Sequence, residues 1–410
     1  EALKVRSLFD ALREELAKNP RYFSDLIDKY LIDNPHSVHL IMKPDYRLEQ
    51  EEREEEAHRL SEIQKSLSEK QKKAILQEAK KLDELQKNDV SEDILPTLTL
   101  NDIPKKVKSF PLEIREFENI KIWQHECFTN GLIYADLAYE LKSIKDEEIP
   151  LFRLLMVLLT QLGVNGYSYE DTLNYMQAHT GGIFASLHIN PQANNLEKML
   201  PAIHIKGKAL NAKADKLLTL MKGYASSLDF KNRERIKEVF FKHKTNLEAS
   251  FNQSAFRYAT NLSASALTQA TRMSQLCFGL DYYNFIKSLN EPPFELLEDL
   301  YKRIFSFRPP DLVLGGERSI LLDLEKNSYF GLNEITTLHR AHSDWDLYVG
   351  KPENRSHEIS SAVAFIAHSF KTIPYTHPDS PYLAIASYLF DNLTLHPRIR
   401  EQGGAYGGGA

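Results

Sequence analysis

The chain opens on two stretches with apolar residues at helical spacing. Residues 1–18 and 21–32 read as helices, the second carrying Tyr22, Phe23, Leu26, Ile27, Tyr30 and Leu31, with Pro20 where a first turn tolerates it. Pro35 ends that element and the period drops to two. His36 to Met42 alternates as a short strand with Val38, Leu40 and Met42 on one face. The next stretch is charged: ten acidic and nine basic side chains stand between Glu51 and Lys87, with Glu55/Arg59 and Glu69/Lys73 at i,i+4 spacing. Thin apolar stripes (Leu60, Ile63, Leu67, then Ile75, Ala79, Leu82) and a capping pattern at Ser68 and Gln71 predict two charged helices folded back on each other as a spacer.

After Pro96 the pattern becomes that of a folded domain. Residues 112–141 carry strand signals, with an Asn130-Gly131 turn followed by Ile133, Ala135, Leu137, Tyr139 and Leu141 on one face. Pro150 opens a helix, Leu151 to Leu162, apolar nearly all round and therefore expected to be buried. Further strands are predicted at 183–189 and 202–209, a long helical region at 212–289, a last strand at Asp311 to Leu314 and a helix at 317–338. Antiparallel strands with several helices make an α+β layer fold. Ala138 to Ile144 then aligns with Ala367 to Ile373 at an offset of 229, each read as a strand followed by a short loop, a proline (Pro150, Pro381) and a buried apolar helix. This weak repeat would leave the second unit short, so the chain reads as an internal fragment of a larger protein.

Composition narrows the function classes. A net charge of −6 argues against nucleic acid as a main partner. Cys127 and Cys277, the only cysteines, are too few for a disulfide scaffold or a cysteine-based zinc site, and a reducing compartment fits. The longest apolar run, Leu154 to Leu159, falls far short of the ~20 residues a membrane helix needs. His339-x-x-His342 with Asp344 has ligand spacing but lies in a polar stretch where a surface role is expected, and the rings of His36-x-x-His39 would point to opposite faces of a strand. His125-Glu126 beside Cys127 reads as an ordinary exposed pair, and no H-x-x-E-H, H-E-x-x-H or GxSxG occurs. No complete active site is present.

The last residues are unusual. Five of seventeen glycines fall between Gly403 and Gly409, with Arg400 upstream and Tyr406 among them. Such a run is either a flexible tail or a strap that brings backbone close to a ligand and presents two hydrogen-bonding side chains. The spacing matches neither phosphate-binding glycine loop.

The stretch KTIPYTHPDSPYLAIASYLFDN with REQGGAYGGGA strongly resembles presequence proteases of the pitrilysin/insulinase family of inverted zinc metallopeptidases. RYFSDLIDKYLIDNPHSVHLIMKPD, the charged helices after it and NGLIYADLAYEL resemble the same branch in the same order, and the likeness is thinnest between about 310 and 355. The resemblance implies four related α+β domains in two halves, joined by a helical hairpin and closing as a clamshell on short unstructured peptides. Residues 1–45 would then end the second domain, 46–95 form the hinge, 96–345 the non-catalytic third domain and 346–410 the start of the fourth. The zinc-binding H-x-x-E-H would belong to an N-terminal half absent from this chain. No metal is therefore expected here, and the missing half of the polypeptide becomes a partner.

Arg400 and Tyr406 resemble the arginine and tyrosine that the fourth domain lends to the catalytic centre, with Gly403, Gly404 and Gly407 letting the strap approach substrate. By this reading the complete protein is a zinc metalloendopeptidase and this chain alone is inactive. Its expected location is cytoplasmic in a bacterium or the mitochondrial matrix in a eukaryote, with no membrane and no nucleic-acid partner. Two alternatives stand beside it: a non-catalytic, peptide-binding or chaperone-like paralogue of the same fold, and a metal-binding module at His339 and His342.

Overall fold

The computed structural model describes residues 5–32, 34–87, 96, 98–335, 345–351 and 354–410. The chain divides into two units, Glu1–Lys105 and Lys106–Ala410.

Among its described residues the first unit holds four helices, α1 (Val5–Lys18), α2 (Tyr22–Tyr30), α3 (Leu48–Ser66) and α4 (Glu69–Lys87). The break between α3 and α4 falls where the capping pattern puts it: Ser68 N–H donates to Gln71 Oε1 at 2.9 Å, and Gln71 N–H donates back to Ser68 Oγ at 3.4 Å. Glu69 pairs with Lys72 at 3.0 Å, one position short of the expected Lys73. The anticipated strand at 36–42 is not formed. A strand needs a partner for its backbone groups, and among the described residues of this unit there is no other strand; Val38, Leu40 and Met42 are exposed. No described residue of the unit is buried.

The second unit is built on a sheet. Its elements run β1 (Glu113–Phe117), β2 (Ile120–Glu126), β3 (Leu132–Glu140), α5 (Ile149–Leu159), α6 (Tyr169–His179), β4 (Ile183–His188), β5 (Pro191–Gln192), β6 (Asn195–Met199) and β7 (Ala202–Leu210). There follow α7 (Ala214–Ser226), α8 (Arg233–Ala249), α9 (Ala255–Ala264), α10 (Gln269–Phe278), α11 (Leu280–Ser288), α12 (Phe294–Phe307), β8 (Asp311–Gly316), α13 (Arg318–Lys326) and α14 (Ser380–Phe390). Six strands lie in the order β1-β2-β8-β3-β7-β4, antiparallel except for the β2–β8 pair, and β5 and β6 form a separate small ribbon. This is the α+β layer fold expected.

Strand alternation decides which face is covered. Ile133, Ala135, Leu137 and Tyr139 of β3 are buried, as are Ile203, Ile205 and Ala209 of β7 and Leu312 and Leu314 of β8. Helix α5 completes this core with nine buried residues, from Ile149 to Leu159. Gly207 of β7 lies on the same face, and a Cβ there would come within 2.6 Å of a Leu217 methyl of α7. The glycine is what lets that helix approach the sheet.

The Asn130-Gly131 turn forms, with φ of 55° and 76°. It does not join neighbours: β8 inserts between β2 and β3, and Glu317, just past β8, clamps the turn. The Glu317 carboxylate accepts from Thr129 N–H (3.1 Å), Thr129 Oγ–H (2.9 Å), Gly131 N–H (3.1 Å) and Asn211 Nδ2–H (3.3 Å). The helix expected at 317–338 stops at Lys326, because Ser328 to Gly331 all take positive φ and reverse the chain. Trp345 packs onto the core, donating its indole N–H to Leu141 C=O at 3.0 Å against the edge of Phe152.

From residue 354 onward no described side chain is buried. The strand expected at 367–373 is absent, since among the described residues that segment has no strand partner, whereas the helix after Pro381 forms as α14, with none of its residues buried. The segment touches the ribbon, with Thr376 N–H donating to Ala193 C=O at 3.1 Å and Lys371 pairing with Glu197.

Candidate functional site

The strap follows a wide helical turn, Asp391–Gln402, that carries on from α14. Gly404 sits at φ +69°, where residues with a side chain are strained, and its N–H donates to Arg400 C=O at 3.1 Å. Ala405 N–H donates to Ile399 C=O at 3.1 Å. A Cβ on Gly403 would meet the carbonyl oxygens of Ile399 and Arg398 at 2.7 and 2.9 Å. Gly403 and Gly404 thus terminate a helix, in the left-handed manner common at helix ends. Arg400 lies on the helical side of that turn and Tyr406 just beyond it, both exposed, Tyr406 at 93%. The four anticipated residues share one surface turn, and the tyrosine hydroxyl is open to a ligand.

A second constellation lies on the open face of the sheet and was not anticipated. Asp136 of β3, His204 and Lys206 of β7, and Ser186 and His188 of β4 share that face, because each alternates with a core residue. His204 Nδ1 lies 2.9 and 3.0 Å from the two Asp136 oxygens, and its ring tilts over that of His188 with centroids 4.3 Å apart. His188 Nε2 is 3.1 Å from Ser186 Oγ and 3.1 Å from Lys206 Nζ. Burial lowers the His188 pKa, and the neighbouring His204 and Lys206 push the same way against Asp136. The legible signal was the period-two patterns of β3, β4 and β7, whose off-core positions hold these side chains.

Comparison with known proteins gives the surface a context. The sequence model of the family described as peptidase M-16C associated matches residues 42–289, more than half of the chain. The chain belongs to this peptidase-associated family. Along its whole length this family member is similar to mitochondrial presequence proteases. It is 24% identical to that of Drosophila melanogaster, covering 100% of this chain and 40% of that protein. It is 26% identical to that of Xenopus tropicalis, covering 100% of this chain and 43% of that protein. Protein HypA of Clostridium perfringens is 27% identical over 99% of this chain and 42% of its own length. The chain therefore spans about two fifths of the length of these curated relatives. Among solved structures, a protease from Helicobacter pylori overlaps with a TM-score of 0.39 and 12% identity over 60% of this chain and 54% of that one. The periplasmic protease PqqL from Escherichia coli gives 0.42 and 11% over 61% of this chain and 26% of that one. The presequence-protease branch expected from the sequence is where the chain falls.

Among the described residues no three His, Cys, Asp or Glu side chains gather around one possible metal position, so these residues do not fit a zinc site. His36 and His39 are exposed, and His125 meets Pro111 C=O at 3.1 Å. His339, His342 and Asp344 lie outside the described residues. No described helix is long and apolar enough to cross a membrane.

Proposed function

We propose that this chain is the substrate-holding part of a larger zinc metalloendopeptidase that degrades short unstructured peptides in a clamshell chamber, the metal being held elsewhere in the polypeptide. The observation that carries this reading is the similarity to presequence proteases along the entire chain. Alone, the chain is inactive. In this layout residues 1–45 end a second domain and α3 and α4, within 46–95, form the hinge between halves. Residues 96–345 are the third domain and 346–410 open a fourth, whose remaining elements would cover α14 as the sheet and its helices cover α5.

In this reading Tyr406 donates its hydroxyl to a peptide carbonyl oxygen as that oxygen gains negative charge, a contact whose loss typically lowers rates ~100–1000-fold. Arg400, in the same reading, holds the peptide backbone or its terminal carboxylate by charge-assisted hydrogen bonds. The glycine turn supports both roles, since it leaves the two side chains exposed on a short, shaped segment.

The test is cleavage of a quenched, unstructured peptide by the complete protein carrying Arg400→Ala. A rise in KM of about tenfold or more, with metal content intact, is expected from loss of a charge-assisted contact. Unaltered KM and kcat would remove Arg400 from the substrate site. Binding of peptide with no turnover by the complete wild type would favour a non-catalytic paralogue.

A further inference from the structure

We propose that Ser186, His188 and Lys206, on the open face of the sheet, form a binding site for a carboxylate side chain of an extended peptide. The proposal rests on the reading of this chain as a peptide-handling part, and adds a specificity-determining site remote in sequence from the glycine strap.

The hydrogen-bond pattern defines the chemistry. Lys206 has only donors, and it points one at His188 Nε2 from 3.1 Å, where Ser186 Oγ also sits 3.1 Å away. That nitrogen is therefore an acceptor, and the His188 ring is neutral with its proton on Nδ1. Asp136 compensates Lys206 only in part, through a long ion pair at 3.9 Å. Its two oxygens are engaged by His204 at 2.9 and 3.0 Å. Lys206 is left with further N–H donors on a side chain 40% exposed.

An incoming carboxylate can accept from Lys206 and from the Ser186 hydroxyl. Its charge also favours a proton on His188 Nε2, taken from solvent; Lys206 then releases that nitrogen and turns its ammonium to the carboxylate, and Nε2–H becomes a third, charge-assisted donor. The groups that bear on His188 are Asp136 from β3, His204 and Lys206 from β7 and Ser186 from its own strand. Of these only Asp136 opposes an anion, and its charge is turned toward His204 Nδ1 at 2.9 and 3.0 Å and shared with Lys206 at 3.9 Å. A cation is disfavoured by the Lys206 ammonium. Peptide is favoured over a free anion by exposed aromatic side chains on the same face at strand spacing, Phe184 opposite Lys206 and Tyr134 opposite Lys208. An extended segment could set a carboxylate over Lys206 and apolar side chains over these rings.

The experiment is histidine-detected NMR on this chain, labelled with carbon-13 in its imidazoles. It is titrated with glutarate and with two blocked, unstructured peptides that differ only by Glu or Gln at one position. The expected result is a saturable shift of the His188 and His204 signals by the Glu peptide, at least tenfold weaker with the Gln peptide. Binding should strengthen as pH falls from about 8, because a proton on His188 adds a donor to the carboxylate. Lys206→Gln, and separately Ser186→Ala, should shrink the Glu–Gln difference. Equal binding of both peptides with His188 unmoved would overturn the carboxylate site while leaving peptide handling in place. Glutarate moving His188 with neither peptide binding would keep the carboxylate site and overturn its peptide assignment. No response to any probe would overturn the proposal whole.

Discussion

Glu317 shows how much one side chain organises here. Its four accepted hydrogen bonds hold the carboxyl down to about 2, the Gly131 backbone N–H contributing most. A carboxyl whose folded pKa is depressed adds stability that is complete above its unfolded value of about 4.5 and is lost as pH falls through about 2. Glu317→Gln should therefore flatten the acid limb of stability between those values, as followed by thermal melts at successive pH. An unchanged acid limb would mean that the clamp is not energetically coupled to folding. His243 works in the same direction. Burial holds it neutral with a pKa of about 4, and its Nε2 lies 2.8 Å from the Tyr282 hydroxyl. Its contribution is present above about 6.5 and fades as pH falls toward about 4, so His243→Gln should remove a stability loss in that window. Neither residue was recognisable in the sequence, because each owes its role to groups 39 or more positions away.

At the scale of elements, legibility followed periodicity. The core face of β3, the buried helix α5 and the strands β4, β7 and β8 were readable because apolar spacing alone specifies them. Helices α6 and α12 were missed. Yet Ser168 caps the first by accepting from Asp171 N–H at 3.1 Å, and Leu297, Leu300, Tyr301, Ile304 and Phe305 mark the second. The strands expected at 36–42 and 367–373 failed for one reason: alternation proposes a strand, but only a partner makes one. The insertion of β8 between β2 and β3 is long-range and left no local trace. Two predictions belong here. Gly207→Ala drives a Cβ against the Leu217 methyl 2.6 Å away and should lower stability by about 1–3 kcal/mol in denaturant titration. Ser68→Ala should weaken the start of α4 by about 1 kcal/mol, seen as lost helicity by circular dichroism, while a silent substitution would show that cap to be idle.

At the scale of the whole molecule, the glycine strap was legible as a motif but its local cause was not. Gly403 and Gly404 end a helix, and that termination sets Arg400 and Tyr406 on one exposed turn. The cluster of His188, His204, Asp136 and Lys206 went unread because cross-strand register, not sequence spacing, assembles it. If α3 and α4 act as a hinge, Leu60→Pro should break α3 at a cost of ~3 kcal/mol or more. It should then slow peptide turnover by the complete protein with its zinc content unchanged; unaltered kinetics would count against a clamshell.

The most direct test is kcat for a quenched peptide with Tyr406→Phe in the complete protein. The phenylalanine keeps the ring and removes only the hydroxyl. A fall of about 100-fold or more in kcat, with KM and metal content near wild type, is the predicted result. A kcat equal to wild type would contradict the assignment of this strap to peptide hydrolysis.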